Sequence, residues 1–188
     1  MRRSLLLSLL AAGLLAGLLI VAGCTGAAPP TNTTPSTTST ISNNTPAGAN
    51  LTSDGLVRLT ADLAAQVNGD RFATAVARGP GSTEYAAMVT ELRGLYTKDS
   101  RIRWLFTFEQ VNGTVMTQIE PGTETEPQAN SGDVYLDPPK EFLTPITSPG
   151  TTGVYTDEWG TQNTGYAPIR NQAGQVVGIL AIDVDPVV

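Results

Sequence analysis

Three textures of apolar and polar residues follow one another along the chain. From Ser4 to Gly23 no residue is charged and leucine dominates. From Thr25 to Asn50 the sequence is Thr, Ser, Asn, Pro, Gly and Ala, with Ile41 the one apolar residue of any size. From Leu51 onward apolar residues return at regular spacing. Leu56, Leu59, Leu63 and Val67 fall three and four apart and predict a helix capped by Ser53 or Asp54 and ended by Asn68-Gly69. Asp70 opens a short segment, Arg71 to Ala77, before the break at Gly79-Pro80-Gly81. Ser82 then caps a helix that turns Tyr85, Met88, Val89, Leu92 and Tyr96 inward.

Beyond that helix the period shortens to two. Ile102, Trp104, Phe106 and Phe108 alternate with Arg103, Leu105, Thr107 and Glu109, which predicts a strand with the aromatic residues in the core. Asn112-Gly113 is a strong hairpin signal, and Thr114 to Glu120 reads as the partner strand. Pro121 to Asp133 is a polar, acidic loop, with Glu120, Glu124 and Glu126 read as solvated. Pro139 to Leu143 reads as a short helix. Gly165 to Ile169 and Gln175 to Asp183 are two further strands joined by Asn171-Gln172-Ala173-Gly174. Pro168 cannot donate to a ladder, so its strand is bulged or at an edge there. The last strand is apolar on both faces and belongs in the middle of the sheet. Helices first and strands afterwards predict an α+β domain, an antiparallel sheet with helices packed on one side.

The N-terminus bears on location. Met1-Arg2-Arg3 followed by an uncharged, leucine-rich run is the pattern of an export signal. The run closes on Val21-Ala22-Gly23-Cys24, which resembles the lipobox of prokaryotic lipoproteins. That resemblance implies cleavage before Cys24 and lipidation of its thiol. Two plainer readings stand beside it: an uncleaved membrane helix and an incidental cysteine. Both main readings place the domain outside, because Arg2 and Arg3 hold the N-terminus in the cytoplasm. The arginine pair also hints at twin-arginine export, which the long leucine core argues against. The expected organisation is a signal peptide over 1–23, lipidated Cys24 with a tether over 24–50, and one domain over 51–188. The tether cannot bury a core and would reach about 80 Å fully extended. Asn32, Asn43, Asn50 and Asn112 each begin an N-x-Thr sequon that could carry glycans.

Composition narrows the chemistry. Cys24 is the only cysteine and histidine is absent. An ordinary zinc site, a Ser-His-Asp triad and a Cys-His pair are therefore excluded, whereas a carboxylate or calcium-type site is not. The chain carries 17 acidic and 11 basic residues. That balance, with no basic cluster, argues against nucleic acid as a partner.

The second half carries a family resemblance. Tyr155-Thr156-Asp157-Glu158-Trp159-Gly160, then Gly165-Tyr166-Ala167-Pro168-Ile169-Arg170, then Gly174 to Asp185 together resemble the Cache family of extracellular PAS-like sensor domains. The resemblance implies a five-stranded antiparallel sheet, a long N-terminal helix, and a small-molecule site between the sheet and its connecting loops. It also implies that Tyr155, Asp157 and Asp183 hold a ligand's ammonium group, with Trp159 and Tyr166 beside them. The plainer reading of Trp159 and Tyr166 is core or pocket wall, that of Asp157 a loop cap, and that of Asp183 a strand end. The Arg-x-Trp that holds a ligand carboxylate in amino-acid-binding members has no counterpart in Tyr135 to Phe142. The expected function is a lipid-anchored, extracytoplasmic ligand-binding domain of sensor type. It would need a separate membrane partner for output, because the chain ends just after the last strand. The alternative is a solute-binding lipoprotein serving a transporter. No enzyme, cofactor or metal is expected; Asp157 with Asp183 or Glu158 is the only candidate catalytic pair, and its spacing specifies no reaction.

Overall fold

The computed structural model describes residues 51–122, 131–157 and 159–187. The chain divides into two units, Met1–Asn44 and Thr45–Val188, and every described residue lies in the second. Cys24, the apolar run before it, the tether and three of the sequons fall outside the described residues, as do Glu124, Glu126 and Glu158. No helix among the described residues is long and apolar enough to cross a membrane.

Three helices come first: α1 (Ser53–Ala64), α2 (Gly69–Arg78) and α3 (Thr83–Tyr96). Each begins where a side-chain oxygen accepts a first-turn amide that the helix itself leaves unpaired. Thr52 Oγ1 accepts from Gly55 N at 3.1 Å, Asn68 Oδ1 from Arg71 N at 3.1 Å, and Ser82 Oγ from Tyr85 N at 3.1 Å. The Ser82 cap is as expected. The first cap is Thr52 rather than Ser53 or Asp54. Asn68-Gly69, expected to end the first helix, begins the second. Gly69 has a packing reason to be glycine: a Cβ there would lie 2.2 Å from the Arg170 carbonyl oxygen.

Six strands follow: β1 (Ile102–Val111), β2 (Thr114–Thr117), β3 (Gly150–Thr151), β4 (Tyr155–Asp157), β5 (Gly160–Arg170) and β6 (Val176–Val184). The sheet runs β2-β1-β6-β5-β3, with β4 also paired to β5. Every pairing is antiparallel. The α+β expectation and the central place of the last strand are both borne out. The expected hairpin is present, with Asn112 at φ 52° and Gly113 at φ 79°. Both turn positions need positive φ, which only the second residue adopts without strain. Gly113→Ala is expected to cost about 1 kcal/mol, read as a lower urea midpoint with an unchanged slope. Pro168 lies where β5 is an outer strand, since β3 reaches only Gly165 and Tyr166.

The sheet separates two cores. On the helix side, Leu56, Leu63, Phe72, Met88 and Leu92 meet Leu105, Ile169, Leu180 and Ile182. On the other side, Phe106, Phe108, Ile179 and Ala181 meet Phe142 and Ile146 from the segment between β2 and β3. That segment includes the expected short helix, a 3-10 turn at Lys140–Leu143. The simple alternation expected for β1 fails at its start. A bulge between Ile102 and Trp104 shifts the register, so Ile102 joins the helix-side core and Trp104 the opposite face. Leu105 and Thr107, expected outside, are buried under the helices because this strand is covered on both faces.

Candidate binding site

Pairing across β1, β6 and β5 sets the side chains of the helix-free face in rows. Trp104, Asp183 and Thr164 form one row; Phe106, Ala181 and Tyr166 form the next; Phe108, Ile179 and Pro168 form the third. β4 continues the face beyond the first row, because Tyr155 pairs with Gln162, two residues before Thr164 on β5. One end of the face is thus polar and the other aromatic. At the aromatic end the Phe142 ring lies 4.5 Å from that of Phe108 and 5.6 Å, edge-on, from that of Tyr166.

The polar end is a connected chain of donors. Gln162 Nε2 donates to the Tyr155 phenol oxygen at 3.1 Å. The Thr164 hydroxyl donates to Asp183 Oδ1 at 2.5 Å. With that proton committed, the Tyr155 phenol is the donor in its 2.7 Å contact with Thr164 Oγ1. Each bond in such a series polarises the next, and the series ends on the carboxylate. Gln162 Nε2 also donates to Asp157 Oδ2 at 3.1 Å, as does the Tyr135 phenol at 3.1 Å. Asp157 Oδ1 accepts from the Trp159 backbone N at 2.9 Å. Asp157 therefore caps its turn through one oxygen and meets Tyr135 and Gln162 through the other.

Asp183 is 7% exposed. Burial pushes its carboxyl up to about 7, against the pull of the Thr164 hydroxyl; the charges of Asp157 and Glu120 raise it further, and Arg103 opposes them. Tyr155 is raised as well, by burial and then by the charge of Asp183. Burial likewise raises Tyr135, helped by Tyr155 and Asp157. Among the described residues no Lys or Arg lies within ion-pair distance of Asp157 or Asp183. The side chain of Arg103, the cation whose field reaches Asp183, pairs instead with Asp185 at 3.4 Å and donates to the Thr161 carbonyl at 3.2 Å. Arg101 chelates Asp99.

Of the five candidate contacts, the structure brings together Tyr155, Asp157 and Asp183. Tyr166 stands one row away and packs in the aromatic end, as a wall. Trp159 is 63% exposed, so a core reading for it is wrong. Its ring meets Tyr135 edge-on at 5.9 Å, on the rim. The larger correction is Glu120, expected in a solvated loop but only 8% exposed. It accepts the indole N–H of Trp104. Thr164, Gln162 and Tyr135 were also missed; antiparallel pairing to Asp183 and Tyr155 would have named the first two had the register been known. Among the described residues no group of acids is arranged to hold a metal ion. A separate open hollow of about 420 Å³ lies between α2 and α3, lined by Asp70, Arg71 and Met88 among others. Two of its charges are already used, Asp70 by the Gln172 backbone N and Arg71 by Glu91.

The fold and site together define an α+β sheet domain with a buried acidic and aromatic site on the face its helices leave free. No protein-family model matches the chain, and no curated protein matches it. Among solved structures it is similar to the ligand-binding domain of the Campylobacter jejuni chemoreceptor Tlp3 in complex with 4-methylisoleucine. The identity is 14% and the TM-score 0.38, over 71% of this chain and 48% of that one. For the same domain in complex with L-valine the identity is 16% and the TM-score 0.37, over 71% and 49%. The chain spans about half the length of these receptor domains.

Proposed function

We propose that this chain is a Cache-like ligand-binding domain of sensor type, held by lipid on Cys24 at the outer face of the membrane. Its ligand is a small organic molecule with a positively charged group, bound beside Tyr155, Asp157 and Asp183. A separate membrane protein reads out the binding. The observation that carries this reading is Asp183. A carboxylate so buried costs several kcal/mol unless a partner offsets it. Here one hydroxyl supports one oxygen, and among the described residues no cation lies within ion-pair distance of either. The phenol of Tyr155 and the ring of Tyr135 add surfaces that favour a cation over an anion.

Thermal-shift screening of the domain over 51–188 against amines, amino acids, carboxylates and purines tests this directly. A stabilising amine or amino acid is expected, and Asp157→Ala should lower its affinity at least tenfold while leaving the far-ultraviolet spectrum unchanged. A screen in which no compound stabilises the domain would refute the reading. Mass spectrometry of the mature N-terminus tests the anchor: an intact, unmodified Met1 peptide would exclude it.

A further inference from the structure

The β1–β2 hairpin carries residues that the binding reading does not use. We propose that Asn112 is an N-glycosylation site, its side-chain amide taking an oligosaccharide from a lipid-linked donor outside the membrane. This rests on the preceding reading that the chain is exported, because N-x-Thr acceptors are modified on exported chains. Asn112-Gly113-Thr114 has the required order, with glycine rather than proline between the amide and the hydroxyl. The fold sets it at the tip of a two-residue turn, closed by the pairing of Val111 with Thr114. Val111, Asn112, Gly113 and Thr114 are all exposed. A Cβ added at Gly113 would meet nothing within 4 Å, so the space around the tip is open. Val115 is buried, and alternation along β2 turns Thr114 to the opposite, open side. Among the described residues neither the Asn112 amide nor the Thr114 hydroxyl has a hydrogen-bond partner, so transfer breaks no internal bond.

Turn geometry accounts for only part of this sequence. Asn112 stands at φ 52° and Gly113 at φ 79°, and Asn-Gly is the pair that such a turn favours. The turn makes no demand for a hydroxyl two residues after the asparagine. Sequon recognition does, and Thr114 supplies it. The sequons at Asn32, Asn43 and Asn50 lie outside the described residues, so Asn112 is the acceptor that the described domain presents. In the transfer a bond forms between Asn112 Nδ2 and the anomeric carbon of the first sugar. The bond from that carbon to the donor's phosphate oxygen breaks. The amide gives up one proton, and the lipid phosphate leaves with the electron pair. The added sugar is bulky and polar. At this tip it would stand beside exposed Val111 and the end of β2, an outer strand, and hinder edge pairing with another chain.

The experiment uses the full chain recovered from the cells that make it. Its exposure is read by proteolysis of intact cells, and residue 112 by peptide mass spectrometry. The peptide spanning Asn112 is expected to carry the mass of a glycan. Asn112→Asp keeps a turn-forming residue and removes the amide. Thr114→Val keeps a β-branched strand residue and removes the hydroxyl. Each should lose the glycan from that peptide completely while the chain still reaches the membrane in the parental amount. A purely structural role for the hairpin would not produce that loss. Thr114→Ser should retain the glycan. A bare Asn112 peptide from protein exposed on the outer face overturns the modification and leaves the location standing. Protein confined to the cytoplasm overturns both. A glycan that persists in Thr114→Val overturns transfer directed by the sequon.

Discussion

Asp183→Asn will stabilise the ligand-free domain above neutral pH and destroy its binding of cations. In the folded chain the Asp183 carboxyl is raised to about 7 from its ordinary value of 3.8, chiefly by burial. The folded state therefore holds this proton more tightly than the unfolded state does. At pH 4 and below both states are protonated, and the group costs the fold nothing. As pH rises towards 7 the unfolded chain gives up the proton first, so stability falls. Above about 7 the folded chain must carry the buried charge, and the loss is complete, on the order of 4 kcal/mol for a shift of this size. Asparagine keeps an oxygen for the Thr164 hydroxyl and carries no charge. Melts between pH 4 and pH 9 should show variant and parent converging at the acid end and diverging through neutrality, with the variant higher. Parallel profiles would show that Asp183 does not titrate between folded and unfolded states as described.

The same charge links binding to protons. A cation that pairs with Asp183 favours the ionised carboxylate, so below pH 7 binding must expel a proton. Affinity for a permanently charged ligand should therefore weaken as pH falls through 7. The groups that share this field are Asp157, Glu120, Tyr155 and Arg103, and Asp157 and Glu120 push in the same direction as burial. In the proposed binding site, a cation would gain affinity from the same buried carboxylate that costs the empty domain stability.

Much of this is legible in the sequence, and the reasons are local. The Asn112-Gly113 hairpin and the Ser82 cap are written in residues whose conformations have few alternatives. The placement of β6 followed from its being apolar on both faces. Tyr155, Asp157 and Asp183 were singled out as candidates by a resemblance in the sequence, and the fold sets them close together. What escaped depends on register. A single bulged residue after Ile102 turns Trp104 to the face of Asp183, and no periodicity announces it. Glu120 has the composition of its acidic loop, and its burial goes with contacts such as the Trp104 indole N–H that composition does not announce. Trp159 shows the opposite failure, since an aromatic residue beside a site motif reads as core and stands on the rim. Strands β3 and β4 are two and three residues long, too short for any period to show.

Gly165→Ala, one methyl group, should destabilise the domain by about 2 to 3 kcal/mol. Gly165 sits on β5 under α1, where a Cβ would lie 2.2 Å from Thr60 Oγ1 and 2.8 Å from Leu56 Cγ. Thr60 cannot simply swing away, because it is fully buried and its hydroxyl donates to the Leu56 carbonyl at 2.9 Å. Helix and strand must therefore separate. The site moves with them, for the neighbour of Gly165 is Thr164, whose hydroxyl holds Asp183. The variant should thus lose ligand affinity as well as stability, although residue 165 faces away from the site. Thr60→Ala removes the nearest clashing atom, so the double variant should be more stable than the sum of the single changes predicts, by about 1 kcal/mol or more. Strict additivity in a urea-denaturation cycle would place the strain elsewhere. Recovery of both stability and binding in the double variant would show that the spacing of α1 over β5 is what holds Thr164 against Asp183.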